Sequence, residues 1–341
     1  MVKLPTKRSI TSLPRLVGSL FWASLWLVAL TLGSLFLLKW FSADYFYPVR
    51  IIAYFLPWLL ALLFPALVIA ALARRKWLVA TLAGPTIVIV ATFVPLFWPR
   101  PVLAGPNQGL SLKIVSHNMF NQPDAAGLIK LIRQEQPDIL LLQEFNPVLA
   151  SMSLAALADL YPTLSFTVVD PSQAGFSAAV LSRYPVVWSE ASFALGRTQR
   201  VRLATPAGLI EVWNVHPFPP YLHAPAKHDR HLQTLAEALP DATYPLIVAG
   251  DFNITTESAN YTRFARQLHN AHLVAGRGFG FTFPVPPHRK GLPFTPGLLY
   301  RIDHILYDDH FVARQAETLP PQAGSDHLPI MAELLLLPSM R

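Results

Sequence analysis

Hydrophobic and polar positions follow two regimes along the chain. Up to about residue 98 the apolar residues come in three long runs, about Leu16 to Leu38, Val49 to Ala73 and Trp77 to Trp98. Each approaches or exceeds the ~20 residues a helix needs to cross the hydrocarbon core of a bilayer. Apart from Arg50 at the start of the second run, none holds a charge. Pro57, Pro65, Pro85 and Pro95 lie inside the runs, which membrane helices tolerate when neighbours satisfy the freed carbonyls. Trp22, Trp40, Trp77 and Trp98 mostly fall near run ends, where interfacial aromatics sit. The first run is too long, and lacks a clear small-residue cleavage site, for a removable signal peptide. The pattern predicts an all-α membrane segment of three helices over residues 1–98, then a Pro/Gly-rich spacer over 99–110.

From residue 111 to 341 the period changes. Short apolar runs of β type alternate with helical patterns. Strands are expected at Leu112–Met119, Asp138–Gln143, Ser177–Ser182, Arg200–Thr205, Leu209–Val215, Leu246–Gly250, Ile302–Tyr307 and Leu328–Leu336. Helices are expected at Asp124–Glu135, Pro147–Leu160, Lys227–Leu239 and Glu257–Leu268. Strands and helices mix without strict alternation, which predicts a two-sheet α/β sandwich rather than a doubly wound sheet.

Charge changes the picture once it is sorted by region. The formal net charge is +7, but residues before 112 carry +9 and the remainder −2. The basic character therefore belongs to the membrane segment, and the C-terminal domain lacks the overall basic footprint of a duplex binder. Lys3, Lys7, Arg8 and Arg15 in the N-terminal tail and Arg74-Arg75-Lys76 in the second loop outweigh Lys39 and Arg50 in the first. The richer segments should face the cytoplasm, which puts the domain after the third span on the periplasmic, extracytoplasmic side. Cysteine is absent, so disulfides and thiolate metal sites are excluded and any metal must be held by oxygen or imidazole.

The candidate chemistry sits where polar residues end or open buried strands, places where they are costly unless paired or used. These are Ser116-His117-Asn118, Glu144 after a Leu-Leu-Leu-Gln run, His216 before Pro217, Asp251-Phe-Asn253, Asp303-His304, and Ser325-Asp326-His327. There is no Gly-x-Ser-x-Gly elbow. Carboxylates, amides and imidazoles without a cysteine nucleophile suit a hard cation on oxygen ligands with histidine acid–base help, the equipment phosphate-ester hydrolysis requires.

At these residues the chain resembles the endonuclease/exonuclease/phosphatase superfamily. The blocks Lys113–Asn118, Asp138–Glu144, Leu181–Pro185, Asn214–His216, Gly250–Asn253, Arg301–His304 and Ser325–Pro329 occur in the family's order across residues 111–337. No single block is decisive; the ordered set is highly specific. The resemblance implies a DNase I-like sandwich and a hydrolase acting on ester bonds with Mg²⁺ or Mn²⁺. It implies Asn118 and Glu144 as metal ligands, with Asp326 as a further one. Asp251 and Asn253 match the pair that orients water and phosphate, His327 the catalytic histidine, and Asp303 its orienting carboxylate. His216 matches the histidine that binds phosphate or protonates the leaving oxygen. Asp251 and His327 share the role of base. The partners implied are a phosphate-ester substrate (nucleic acid, phospholipid headgroup or small molecule) and the lipid bilayer, with no obligate protein partner evident. The competing reading is a non-catalytic binding module that keeps the fold; the presence of Glu144 and His327 weighs against it.

Blander readings stand beside these. Glu144 could cap the next helix, Asp251 and Asn253 could shape an Asx turn, His216 could be a core histidine, and Asp303 could pair with Arg301. Alternation points His117 and His304 to the face away from the site. Arg183 is expected to brace a sheet edge. His223, His228 and His231 suggest a metal cluster by count, but a solvated face is the preferred reading; Arg197, Arg200 and Arg202 could meet anionic headgroups or a polyanionic substrate, and here too a solvated face is preferred.

Overall fold

The computed structural model describes residues 12–42, 47–98, 108–120, 124–145, 156–161, 163–168, 177–192, 197–220, 225–286, 297–321 and 324–338. It divides into two compact units, Met1–Val94 and Pro95–Arg341.

The first unit is helical: α1 (Ser12–Ser42), α2 (Tyr47–Phe55), α3 (Leu60–Leu72) and α4 (Lys76–Phe93). α2 runs into α3 through a 3₁₀ turn, Leu56–Leu59, with Pro57 in its first positions, where a missing N–H costs least. Pro65 and Pro85 lie inside α3 and α4. Three stretches, Arg15–Leu38, Pro48–Leu72 and Lys76–Leu96, are long and apolar enough to cross a membrane. Leu20, Leu27, Leu62, Leu72 and Ile87 are exposed, the outward apolar surface that hydrocarbon rather than water would cover.

The second unit is an α/β sandwich of two mixed sheets. Its strands are β1 (Leu110–Asn118), β2 (Ile139–Gln143), β3 (Thr163–Val168), β4 (Ser177–Ser182), β5 (Val186–Ser192), β6 (Thr198–Thr205), β7 (Gly208–Val215), β8 (Leu246–Asp251), β9 (His269–Asn270), β10 (Asp303–Tyr307), β11 (Phe311–Thr318) and β12 (Ile330–Leu336). Its helices include α5 (Ala125–Glu135), α6 (Pro225–Ala238), α7 (Tyr261–Ala265) and α8 (Ala271–Ala275). One sheet has the order β11-β12-β1-β2-β4-β3 and the other β5-β6-β7-β8-β10-β9. Each contains one parallel pair, β1 with β2 and β7 with β8, between antiparallel neighbours. α5 makes the first crossover and α6 the second, as parallel strands require.

Burial follows the patterning. Every residue of β2 and β8 is buried, since each strand packs on both faces. Leu112, Ile114, Leu141, Val201, Val212 and Ile247 fill the space between the sheets. Val115, Leu140 and Leu142 meet α5 through Leu128, Leu131 and Ile132. Trp213, Val215 and Val248 meet Leu232, Leu235 and Phe264 of α6 and α7. Asp124 caps α5 by accepting from the N–H of Gly127, and Gln136 ends it in the left-handed conformation.

Several elements depart from expectation. The helix expected over 257–268 shrinks to Tyr261–Ala265, because Ser258 and neighbouring turn residues hold the chain before it. The helix expected over Pro147–Leu160 falls mostly on residues outside those described. β3, β5, β9 and β11 are additional strands. All four are edge strands, and β11 carries a bulge between Ala313 and Gln315, which breaks the two-residue period a strand is read from.

Candidate active site

The parallel strands determine where the polar residues meet. Register pairs Asn118 at the end of β1 with Gln143 at the end of β2. It pairs Val215 at the end of β7 with Gly250 near the end of β8. The residues next in line, Glu144, His216 and Asp251, therefore leave the sandwich at one end. β10 runs antiparallel to β8 and sets Asp303 opposite Asp251. Ser325-Asp326-His327 enters just before β12, the neighbour of β1.

All eight residues expected at the site come together there. Asn118 donates from Nδ2 to Glu144 Oε1 at 3.3 Å and to Asp251 Oδ2 at 3.0 Å, so one amide joins carboxylates carried by the two sheets. His216 Nε2 lies 3.5 Å from Glu144 Oε1 and 3.6 Å from Asp251 Oδ2. Asn253 donates its backbone N–H to Asp251 Oδ1 at 2.8 Å and its side-chain amide to Pro217 O at 3.2 Å. His327 Nδ1 is 3.0 Å from Asp303 Oδ2, and its Nε2 is 3.8 Å from Asp251 Oδ2 and 3.9 Å from Asp326 Oδ1. Asp303 thus pairs with His327 and not, as the bland reading had it, with Arg301. The Arg301 guanidinium instead donates to Gly280 O and Thr318 Oγ1.

The backbone is bent to aim these groups. Glu144 and Asn253 take φ of +48° and +54°, a region rarely adopted outside glycine and found where the surroundings over-determine it. Gly250, at φ +147°, presses so closely on β7 that an added Cβ would collide with the Val215 carbonyl.

Electrostatics explain the pairing. Burial pushes the Glu144 and Asp251 carboxyls above the ordinary carboxylate range, the His327 charge opposing this at each. Burial would also raise Asp303, but the His327 charge and hydrogen bond reverse the shift and hold it low. His327 is the converse: burial disfavours its charge, yet Asp303 and Asp251 raise it to about 10. His216 is held neutral, lowered to about 3 by burial and by the positive charges of Arg197 and His327.

Four carboxylates converge here, of which Asp251, Asp303 and Asp326 are buried. Like charges taken out of water demand protons or a cation. Among the described residues, Asp251, Asp303 and His327 form a group able to hold a metal, with ligand atoms within 4.8 Å of one another. That set differs from the expected Asn118, Glu144 and Asp326, of which Asn118 touches Asp251 and Glu144, and Asp326 lies near His327. Oxygen donors in this number suit a hard divalent cation.

Other residues bind the site together and were not given roles from the sequence. Gln143 donates to Asn214 Oδ1 at 2.7 Å and Asn214 donates to Leu142 O at 2.9 Å, a buried tie between the sheets. Ser325 donates its hydroxyl to Asn118 O and accepts from the His327 N–H. The ring of Phe283 lies 4.6 Å from that of His327. Gln143, Asn214 and Ser325 stand inside the motif blocks, which was the available signal; Phe283 had none.

Three surface expectations are corrected. His228 and His231 are buried, not solvated, with the His231 ring stacked on Phe218; His223 lies outside the described residues. Arg197 is fully buried, its guanidinium 3.2 Å from the Phe218 ring centre. Arg200 and Arg202 lean on Glu211 at 2.8 and 3.1 Å. A helical or strand spacing fixes which residues share a face, but not whether a neighbouring loop covers that face. His304 is structural as expected, bonded to Ile254 O; Arg183 bonds Gln136 O and pairs with Asp138.

The sequence matches the model of the endonuclease/exonuclease/phosphatase family over residues 115–327. No curated protein matches it. Among solved structures it is similar to an endonuclease/exonuclease/phosphatase family protein from Leptotrichia buccalis C-1013-b, at 17% identity and TM-score 0.52, covering 65% of this chain and 99% of that one. A mannosyl-6-phosphatase from Bacteroides thetaiotaomicron VPI-5482 aligns at 16% identity and TM-score 0.51, over 66% and 100% of the two chains. TDP2 of D. rerio, complexed with single strand DNA product, aligns at 16% identity and TM-score 0.53, over 66% and 98%. At such identities these likenesses concern the fold.

Proposed function

This chain belongs to the endonuclease/exonuclease/phosphatase family and is a phosphoester hydrolase, and from that premise we propose a membrane-anchored enzyme that uses Mg²⁺ or Mn²⁺ to direct water at a phosphate ester. The observation that carries the reading is the convergence of Glu144, Asp251, Asp303, Asp326, His216 and His327 on one end of the sandwich. Glu144, with Asn118 and Asp326, would hold the cation, which supplies charge neutralisation of the phosphate and polarisation of water when bound. Asp251, whose proton affinity is raised by burial, takes the proton of the attacking water, oriented with help from Asn253. The cationic His327, fixed by Asp303, faces the phosphate oxygens and can return a proton. His216, neutral at rest, offers a ring N–H to the phosphate or the leaving oxygen.

The apolar stretches Arg15–Leu38, Pro48–Leu72 and Lys76–Leu96 serve as the anchor. The Lys/Arg bias of the tail and second loop supports a cytoplasmic N-terminus and a periplasmic catalytic unit.

The test is a hydrolysis screen of the full-length protein in detergent with Mg²⁺ or Mn²⁺, against single-stranded nucleic acid, phospholipids and small phosphate mono- and diesters. Activity should vanish with chelator. Glu144→Ala should lose it chiefly by weakening metal binding, so that excess Mg²⁺ restores part. Hydrolysis that survives chelation, or is indifferent to Glu144→Ala, would overturn the proposal.

A further inference from the structure

The segment from Gly278 to Phe283 takes no part in the chemistry above, yet it is built with care. Hydrogen bonds pin its backbone at both glycines. The Gly278 N–H donates to Leu96 O at 2.8 Å. Gly278 O lies 3.0 Å from His272 Nε2. Gly280 O accepts from Arg301 Nη1 at 2.8 Å and from Thr318 Oγ1 at 3.2 Å. Gly280 has φ of +57°, and a Cβ there would strike the His272 ring and the Arg301 guanidinium. Held this way, Phe279 and Phe281 stack with ring centres 4.9 Å apart and planes 3° from parallel. Phe97 meets Phe279 edge-on at 4.9 Å. Two residues further on, Phe283 packs against the catalytic His327.

Phe279 and Phe281 are only half-buried, while Phe97 and Trp98 are 57% and 72% exposed. A rigid backbone that leaves part of such a row of rings open to water, Phe97 most of all, is unfavourable unless something apolar covers it. Phe97 directly follows Leu96, the last residue of the third apolar stretch. Chain continuity alone therefore places the start of the row beside whatever surrounds that stretch, and the segment ends at the reaction centre.

We propose that Phe279 and Phe281 bind an alkyl chain of the substrate, so that the ester hydrolysed is a lipid phosphate whose phosphate reaches Asp251 and His327. The inference rests on the phosphoesterase and membrane readings above, and it narrows them to one substrate class.

Binding tests it without relying on turnover. Hexylphosphonate and methylphosphonate, which the enzyme cannot hydrolyse at carbon, are titrated calorimetrically into the full-length protein in detergent with saturating Mg²⁺. Cover of the additional methylenes by the two rings should tighten hexylphosphonate by about tenfold or more. Phe279→Ser/Phe281→Ser should abolish that preference. Val187→Ser, which removes another exposed apolar residue on β5, should keep it. Equal affinity for the two phosphonates in the wild type overturns the proposal even if the double variant fails to fold, as does a preference that survives the double substitution. Hydrolysis of hexyl and methyl p-nitrophenyl phosphodiesters in the same preparations separates the two readings. Turnover with no chain-length preference sinks the lipid site alone. Preferential binding with no turnover sustains the lipid site and sinks the catalytic reading.

Discussion

The carboxylates and imidazoles of the site are chemically similar, and their neighbours differentiate them. Asp303 touches His327 and is held ionised, whereas Asp251 is raised by burial. Hence His327→Ala should lower kcat by about 10²–10⁴-fold, the usual worth of an acid–base group, and excess metal should not repair it. Asp303→Asn should be milder, since it disturbs only the orientation and charge of the ring; a loss equal to that of His327→Ala would show Asp303 acting directly. The buried histidines away from the centre predict a pH response. Burial is the main cause holding His304 and His231 to about 4, against the ordinary 6.5 that applies once the chain unfolds. The unfolded state takes up these protons first, so stability falls as pH drops from 7 towards 4, by about 2 kcal/mol per histidine between pH 7 and 5. Thermal melts of wild type and His304→Gln should show a shallower pH slope in the variant, and equal slopes would refute the assignment. At this scale much of the site was legible, because Glu144, Asp251, Asp303 and His327 are polar residues ending or opening buried runs, where an idle polar group is costly. Arg197 was not: a cation buried against Phe218 looks, in sequence, like any other member of a basic run.

Strands packed on both faces announced themselves, as β2 and β8 do by unbroken apolar runs. Edge strands did not. β5 is largely exposed, and the bulge in β11 shifts its alternation partway, so neither has a clear period. Turn chemistry likewise outweighed helical spacing between 257 and 268. β8 lies against β7 at Gly250 with no room for a side chain. Gly250→Ala combines a collision with backbone and an unfavourable φ, and should cost on the order of 3 kcal/mol or more. It should also depress activity by displacing Asp251. A variant melting like wild type in a fluorescence-monitored thermal scan would contradict that packing.

For the whole molecule, the distribution of charge sets the expectations. The sequence after residue 111 carries −2, so duplex DNA should bind weakly even at low salt. Tight, steeply salt-dependent duplex binding in filter or anisotropy assays would favour a nuclease instead. A periplasmic reporter fused after Arg341 should be active and a cytoplasmic one silent; the reverse pattern would refute the proposed orientation. Two-layer architecture was readable from the mixed order of elements, but the pairing of strands remote in sequence was not, since no local pattern encodes it.

That remote pairing bears on how the protein comes into being. β1 lies between β2, its near neighbour in sequence, and β12, so residue 110 aligns with residue 336. Bringing such distant segments together must precede most of the contacts that reward it, which makes for slow assembly. While β12 is missing, one side of β1 presents unpaired N–H and C=O groups and an apolar face, the kind of edge that other chains adhere to. Asn118 and His327 sit at the same seam. The kinetic window in which the chain is most prone to aggregate is therefore also the one in which its proposed hydrolytic centre is incomplete.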